Sequence, residues 1–215
     1  MADGSVNFST NIVSTATDWN KIVNVPKFDS SLGTLASISY TITGTLTGTA
    51  QASNNSSQSG ITVKLNLEAD LLLTDPSLNT LVESFPLVKS TNSLSAWDGV
   101  TTLPDYSAPS GVTISGISTN YTTSALFTSI SNPGELALFT GTGNIPLNMS
   151  AGGLSFASGG GNVTSTFTTF ADATVQVVYN YTTAVPEAST WAAIGFVGLA
   201  GGATYLRRRQ SKANA

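Results

Sequence analysis

Two long segments in the first third of the chain alternate between apolar and polar residues. Over residues 36–50 the even positions are Ala, Ile, Tyr, Ile, Gly, Leu, Gly and Ala, and the odd positions are Ser or Thr. Over residues 61–73 the odd positions are Ile, Val, Leu or Ala, and most even positions are polar. A period of two is typical of strands that bury one face. Because the polar loop 51–60 separates the segments, they are predicted to pair as an antiparallel hairpin.

Five shorter segments are predicted to be strands, since they are rich in β-branched residues and bounded by Gly or Pro. They are residues 111–118, 121–128, 135–139, 162–170 and 174–183. Tyr40, Tyr179 and Tyr181 fall on predicted core faces. No clear helical periodicity occurs in residues 1–185. The sequence therefore predicts an all-β, antiparallel, jelly-roll-like sandwich over residues 1–183, with a closed barrel as the alternative.

The polarity of the chain comes from hydroxyls and not from charges. Charged residues make up 9% of the 215 residues, whereas Ser and Thr exceed a quarter. The chain has no Cys, which excludes disulfides, thiol nucleophiles and thiolate zinc sites. It has no His either, which excludes a Ser-His-Asp triad and imidazole metal ligands.

Charge is divided sharply along the chain. Residues 1–190 contain all twelve carboxylates, only four Lys and no Arg, whereas residues 191–215 contain four cations and no carboxylate. An acidic body without Arg cannot form the cationic clusters that contact phosphates, so we expect no nucleic-acid partner. The reversal of sign indicates that body and tail meet different environments.

The tail has the pattern of a single membrane span. Residues 191–206 are uncharged and would be roughly 24 Å long as a helix, slightly short of the ~30 Å hydrocarbon core. Trp191 suits one interface, and Arg207, Arg208 and Arg209 would stay cytoplasmic. The sequence thus predicts a linker at 184–190, a transmembrane helix at 191–206 and a basic tail at 207–215. A buried or amphipathic C-terminal helix of the body is the alternative.

This tail resembles a PEP-CTERM sorting signal. The residues that carry the resemblance are Val185, Pro186, Glu187 and Ala188, followed by the apolar segment and the Arg triplet. The sequence departs from the motif at Ala188, where the second Pro usually stands. The resemblance implies recognition by a membrane-embedded exosortase, removal of the helix, and release or attachment of the body at a bacterial surface associated with exopolysaccharide.

The body resembles the choice-of-anchor E domain family. The matching stretches are residues 25–29, 32–35, 97–99, 110–112 and 139–143, with a closing strand at 175–181. The resemblance implies a domain that occurs with different surface anchors, and it assigns no catalytic residues. An exported protein needs an N-terminal signal, but residues 1–10 have neither a basic nor an apolar region. We therefore expect the native signal to be absent from this chain.

Without His or Cys, hydrolytic chemistry would depend on a carboxylate pair, as in glycosidases. The candidates are Asp29, Glu68, Asp70, Asp98, Asp105 and Glu135. By the alternation, Glu68 and Asp70 lie on the solvent side of their strand, and Asp29 and Asp98 are better explained as turn residues. We therefore expect no enzymatic activity and no cofactor. Calcium is the one metal that the composition allows, with Asp98 and Asp105 in one loop as its candidate ligands.

Carbohydrate binding needs aromatic platforms beside hydrogen-bonding groups. Trp97 and Tyr106 flank one loop and are the candidate glycan contacts. The alternative for Trp97 is that it plugs one end of the sandwich. The sequence thus predicts an exported surface or matrix protein with a structural or adhesive role in exopolysaccharide. A carbohydrate-binding module is the second hypothesis, and a glycosidase is the third.

Overall fold

The computed structural model describes residues 4–183. Its strands are β1 (Gly4–Ala16), β2 (Trp19–Pro26), β3 (Thr34–Asn54), β4 (Ile61–Thr74), β5 (Thr80–Ser84), β6 (Leu87–Leu94), β7 (Gly111–Thr128), β8 (Asn144–Gly153), β9 (Phe156–Gly159) and β10 (Val163–Thr182). A 3₁₀ turn spans Ser30–Leu32, and one short helix, α1, spans Pro133–Leu138.

The strands form two antiparallel sheets. Sheet A has four strands in the order β1-β10-β3-β7. Sheet B has six, with the path β2-β8-β4-β5 and with β6 and β9 also paired to β4. Two stacked sheets with an apolar interior make a β-sandwich, so the predicted all-β sandwich is confirmed.

The predicted hairpin between the two long alternating segments is wrong. Each segment is a strand, β3 and β4, but β3 pairs with β10 and β7 in sheet A. In contrast, β4 pairs with β5, β6, β8 and β9 in sheet B. Both strands bury a full apolar face, and each face finds its partner in the other across the interior. The loop 55–60 therefore carries the chain from one sheet to the other.

Two glycines on the inner face of β3 leave space that neighbouring atoms occupy, from the facing sheet at Gly44 and mainly from the adjacent strand β10 at Gly48. A Cβ built on Gly44 would collide with the side chain of Leu71 in β4. A Cβ built on Gly48 would collide with the carbonyl oxygen of Thr168 in β10 and would lie 3.3 Å from Leu67. Because interiors are packed at crystal-like density, these neighbouring atoms fill the space that each glycine leaves.

The interior divides into two apolar clusters along the long axis of the sandwich. The larger cluster contains the fully buried Ile38, Tyr40 and Val177 together with Leu73 of the facing sheet. The smaller cluster lies toward the ends of β3 and β10 and contains Leu46, Leu65 and Leu67. Tyr40 and Tyr179 are buried as predicted, and Tyr181 is partly buried against the larger cluster.

Several predicted boundaries change in the structure. Residues 111–118 and 121–128 form the single strand β7, and residues 162–170 and 174–183 lie almost entirely in β10. The predicted strand 135–139 is wrong, since most of it belongs to α1, which begins at Pro133 with Glu135 in its first turn. Proline is favoured in the first turn of a helix because the amide hydrogen it lacks has no partner there. No strand is predicted for residues 4–26, 80–94, 144–153 or 156–159, which contain β1, β2, β5, β6, β8 and β9.

The predicted linker at 184–190, transmembrane helix at 191–206 and basic tail at 207–215 lie outside the described residues. Within residues 4–183, no helix is both long enough and apolar enough to cross a bilayer.

We expect Gly48→Ala to destabilise the sandwich by about 1–3 kcal/mol, because the added methyl group meets backbone that cannot move aside. Gly134→Ala in α1 is the matched control, since nothing lies within 4 Å of its added Cβ. Urea unfolding followed by circular dichroism measures both changes. Equal stability of the two variants would contradict the close approach at Gly48.

Candidate functional site

The outward surface of sheet A is an array of hydroxyl and amide side chains, here called the hydroxyl face. It comprises odd-numbered residues 5–11 of β1, even-numbered residues 166–180 of β10, odd-numbered residues 37–51 of β3 and even-numbered residues 118–128 of β7. Their neighbours of opposite parity in β3 and β10 supply much of the core. The face is polar throughout except for Phe170, Val178 and Leu126.

Cross-strand pairing aligns these side chains in rows. Thr41 lies opposite Ser124 with 2.8 Å between their hydroxyl oxygens, and Thr43 lies opposite Thr122 at 3.0 Å. On the other side of the sheet, the Thr174 hydroxyl donates to Oδ1 of Asn11 at 2.9 Å. A hydroxyl has one donor and two acceptor positions, so each keeps capacity for a further partner after such a bond.

Sheet A is almost free of charge. Its four strands together contain a single charged residue, Asp172. The strands of sheet B contain six charged residues. They are Lys21, Lys64, Glu68, Asp70, Glu83 and Lys89. The two sheets therefore present chemically different surfaces, one almost uncharged and one charged.

The loop at 95–110 lies at one end of the sandwich and is held by the buried side chain of Asn54. The Asn54 amide nitrogen donates to the carbonyl oxygens of Ser59 and Ser95 at 2.9 and 2.8 Å. The Asn54 amide oxygen accepts from the backbone N–H of Ser56 at 3.0 Å. Because Asn54 is fully buried, these bonds fix the segment 55–60 and the start of the loop at 95–110 relative to β3.

The predicted glycan contacts Trp97 and Tyr106 both lie in this loop and are half-buried, but different partners hold them. The Trp97 indole donates to the carbonyl oxygen of Thr101 at 3.0 Å. The Tyr106 hydroxyl lies 2.9 Å from that of Thr166 on β10. Tyr106 therefore borders the hydroxyl face, a relation the sequence could not indicate because the two residues are 60 positions apart.

Three candidate carboxylates serve local turns. Asp29 accepts from the backbone N–H of Ser31 at 2.8 Å, and Asp98 accepts from that of Val100 at 2.9 Å, so both predicted turn roles are confirmed. Asp105 is buried and accepts from the backbone N–H of Ser107 at 2.9 Å. This backbone hydrogen bond holds the pKa of the Asp105 carboxyl below its usual range.

Asp98 and Asp105, the residues that the composition allows as calcium ligands, both accept from backbone amides of their own turns. Across residues 4–183, no three acidic side chains are grouped closely enough to hold a metal ion.

Two other candidates, Glu68 and Asp70, lie on the outward face of β4, as the alternation predicted. The Asp70 carboxyl lies close enough to that of Glu83 on β5 to perturb it, a relation that the alternation of β4 does not indicate. Burial, and then the charge of Asp70, raise the pKa of Glu83. Two adjacent carboxylates repel each other when both are ionised, which is why protonation of one becomes easier.

The last candidate, Glu135, lies in the first turn of α1 and contacts β3 near its start. The hydroxyl of the buried Tyr40 donates to Oε1 of Glu135 at 3.4 Å. Burial, followed by repulsion from Asp75, raises the pKa of Glu135. The Asp75 carboxylate itself accepts from the backbone amides of Ser77 and Asn79, each at 2.8 Å. The Tyr40–Glu135 contact joins residues 95 positions apart, and the sequence alone does not bring them together.

The predicted sorting-motif residues Val185, Pro186, Glu187 and Ala188 lie outside the described residues. The same holds for the membrane-boundary residues Trp191, Arg207, Arg208 and Arg209.

Comparison with known proteins identifies no family. No family model matches the chain, and no curated protein matches it. Among solved structures, it is similar to a chain of the T13 IBDV viral particle, with 9% identity and a TM-score of 0.28. It is also similar to a chain of infectious bursal disease virus Gx strain, with 12% identity and a TM-score of 0.25. These matches cover 85% and 86% of this chain but only 37% and 38% of the viral chains. Likeness at this level assigns no function.

We expect Glu135→Gln to raise the melting temperature at pH 7 but not at pH 4. Because the folded-state pKa of Glu135 is raised, the stability that this residue contributes is complete below the ordinary value of 4.5 and is lost as pH rises through the folded pKa. Thermal unfolding followed by circular dichroism from pH 4 to pH 7 measures the difference. A lower melting temperature for Glu135→Gln at pH 7 would show that the bond from Tyr40 outweighs the cost of burial.

Proposed function

We propose that this chain is an exported bacterial surface or matrix protein whose sandwich adheres to neutral exopolysaccharide through the hydroxyl face. The observation that carries this proposal is the size and composition of that face. It extends across all four strands of sheet A, and its only charged side chain is Asp172. A long polysaccharide presents rows of hydroxyls, which can both donate to and accept from the rows on the sheet.

The charge distribution favours a neutral polymer over an anionic one. Anionic polysaccharides need cationic partners, and the strands of sheet A contain no Lys or Arg. Residues 1–190 also carry twelve carboxylates against four Lys, so the body as a whole repels polyanions. Hydrogen bonds from single hydroxyls are individually weak, but many act together when a chain lies along a sheet.

We also infer a strand topology for the sandwich and a fate for the C-terminal tail. The order of the eight principal strands supports a jelly-roll-like topology, in which β1, β10, β3 and β7 face β2, β8, β4 and β5. The sequence of the tail supports a single transmembrane helix at 191–206, preceded by a motif at 185–188 that an exosortase recognises. We infer that the membrane holds the chain before processing and that the matrix or surface retains the body afterwards.

A carbohydrate-binding module that uses an aromatic contact is the second candidate. The observation that favours it is the bond between the Tyr106 hydroxyl and Thr166, because it places an aromatic side chain at the border of the hydroxyl face. In this case Trp97 and Tyr106 would provide most of the affinity by stacking on sugar rings. The two candidates differ in which residues matter, and so one set of variants separates them.

We expect the triple variant Thr43→Val, Thr45→Val and Thr47→Val to weaken polysaccharide binding on the order of tenfold or more. Valine keeps the shape and the strand preference of threonine but removes its hydroxyl. Affinity electrophoresis in gels containing dextran, a neutral β-glucan or alginate measures the binding. The wild-type chain should be retarded by at least one neutral polymer and not by alginate.

The matched control is Thr62→Val, Thr80→Val and Thr91→Val, which removes three exposed hydroxyls from the strands of sheet B. It should bind like the wild-type chain. Trp97→Ala with Tyr106→Ala tests the second candidate, and a loss confined to that double variant would replace the proposal with the aromatic module. Retardation of the wild-type chain by alginate alone, or equal losses of binding in both triple variants, would contradict adhesion through the hydroxyl face.

A further inference from the structure

Exposed edge strands are a route to association, and among the strands of residues 4–183 all the edges but one are protected. An edge strand has unpaired backbone groups, and proteins protect such edges with Lys, Pro, bulges or short length. In sheet B, β2 contains Lys21 and Pro26, β6 contains Lys89, and β5 and β9 have five and four residues.

The edge strand β7 of sheet A is interrupted and partly covered. Gly116 has a φ of +66°, and the register with β3 shifts between Gly48 and Ala50, as expected for a β-bulge. The Ser84 hydroxyl of sheet B donates to the carbonyl oxygen of Tyr121 at 3.4 Å. Both features make β7 a poor template for another strand.

The remaining edge strand, β1, has none of these protections over most of its length. Its 13 residues include no charged residue and no Pro. It pairs with β10 without interruption from Gly4 to Ile12, and its register shifts only beyond that point. In the described part of the chain no strand pairs with its other edge. Val6, on the core-facing side of this edge, is 39% exposed.

We propose that β1 pairs in antiparallel orientation with β1 of a second copy of this chain. A strand paired antiparallel with its own copy is self-complementary about a two-fold axis. The seam brings together Ser5, Asn7, Ser9 and Asn11 of both copies, which can hydrogen-bond to one another and bring no like charges into contact. It also covers Val6. Sheet A then becomes an eight-stranded sheet with one continuous hydroxyl face.

A second copy fits this edge better than an unrelated acidic or basic segment, because nothing on β1 selects a charge. Its outward side chains are Ser and Asn, whose amides and hydroxyls complement their own kind. Self-pairing of β1 uses its free backbone edge and its uncharged side chains, and it requires no binding of polysaccharide to the hydroxyl face.

The absence of cysteine from the chain allows a direct test by disulfide trapping. Single cysteines are introduced at positions 5, 7, 9 and 11 of the full-length chain in mild detergent, and the variants are oxidised alone and in pairwise mixtures. Antiparallel pairing predicts efficient disulfides only where the two residue numbers add up to one constant value, since only those pairs lie opposite each other. Thr43→Cys on the interior strand β3 should not crosslink.

Analytical ultracentrifugation of two lysine variants in the same detergent provides the second measurement. Ser9→Lys places a charge on the proposed seam, and Gln176→Lys places one directly across the β1–β10 pair, one strand further in. We expect the dimer dissociation constant to increase at least tenfold for Ser9→Lys and to stay unchanged for Gln176→Lys. A wild-type chain that shows no dimer, or a dimer that both variants retain, would overturn the proposal. Crosslinks that follow no constant sum would overturn it too.

Discussion

The fold depends on the packing of β3 against β4 across the interior, with the leucines of one strand opposite the glycines of the other. Gly44 leaves room for Leu71, and the space beside Gly48 is bounded by Leu67 and by the backbone of β10. At Gly44 this packing places Leu71 of sheet B directly against the backbone of sheet A. It also fixes the side of β3 that faces outward, because a shift of one residue would exchange its apolar and hydroxyl faces.

The alternation predicted which residues are buried but not which strands are neighbours. The period of two correctly assigned Ile38, Tyr40 and Ile42 to the core, since a half-buried strand imposes that pattern whatever its partner is. Pairing is a nonlocal choice, and a strand can bury its face equally well in a hairpin or across a sandwich. The hairpin prediction failed for that reason, and the Tyr106–Thr166 and Tyr40–Glu135 contacts could not be predicted because they join distant segments.

Separation of charge between the sheets connects the fold to the proposed role. All the lysines in the strands lie in sheet B, whereas sheet A contains only Asp172. The sequence alone shows only that charges are sparse, since strands of the two sheets are interspersed along the chain. The topology gathers the uncharged strands into one surface, which suits a hydrogen-bonded interaction with a neutral polymer better than ionic recognition. The basic residues 207–209 belong instead to the tail.

The central claim is that this body acts outside the cell after its tail has been removed. The most direct test is the intact mass of the protein recovered from the extracellular material of the cells that produce it. The account predicts a body that ends within residues 187–190, without the apolar segment and the Arg triplet. A mass that retains the chain through Ala215, found only in the membrane fraction, would contradict it.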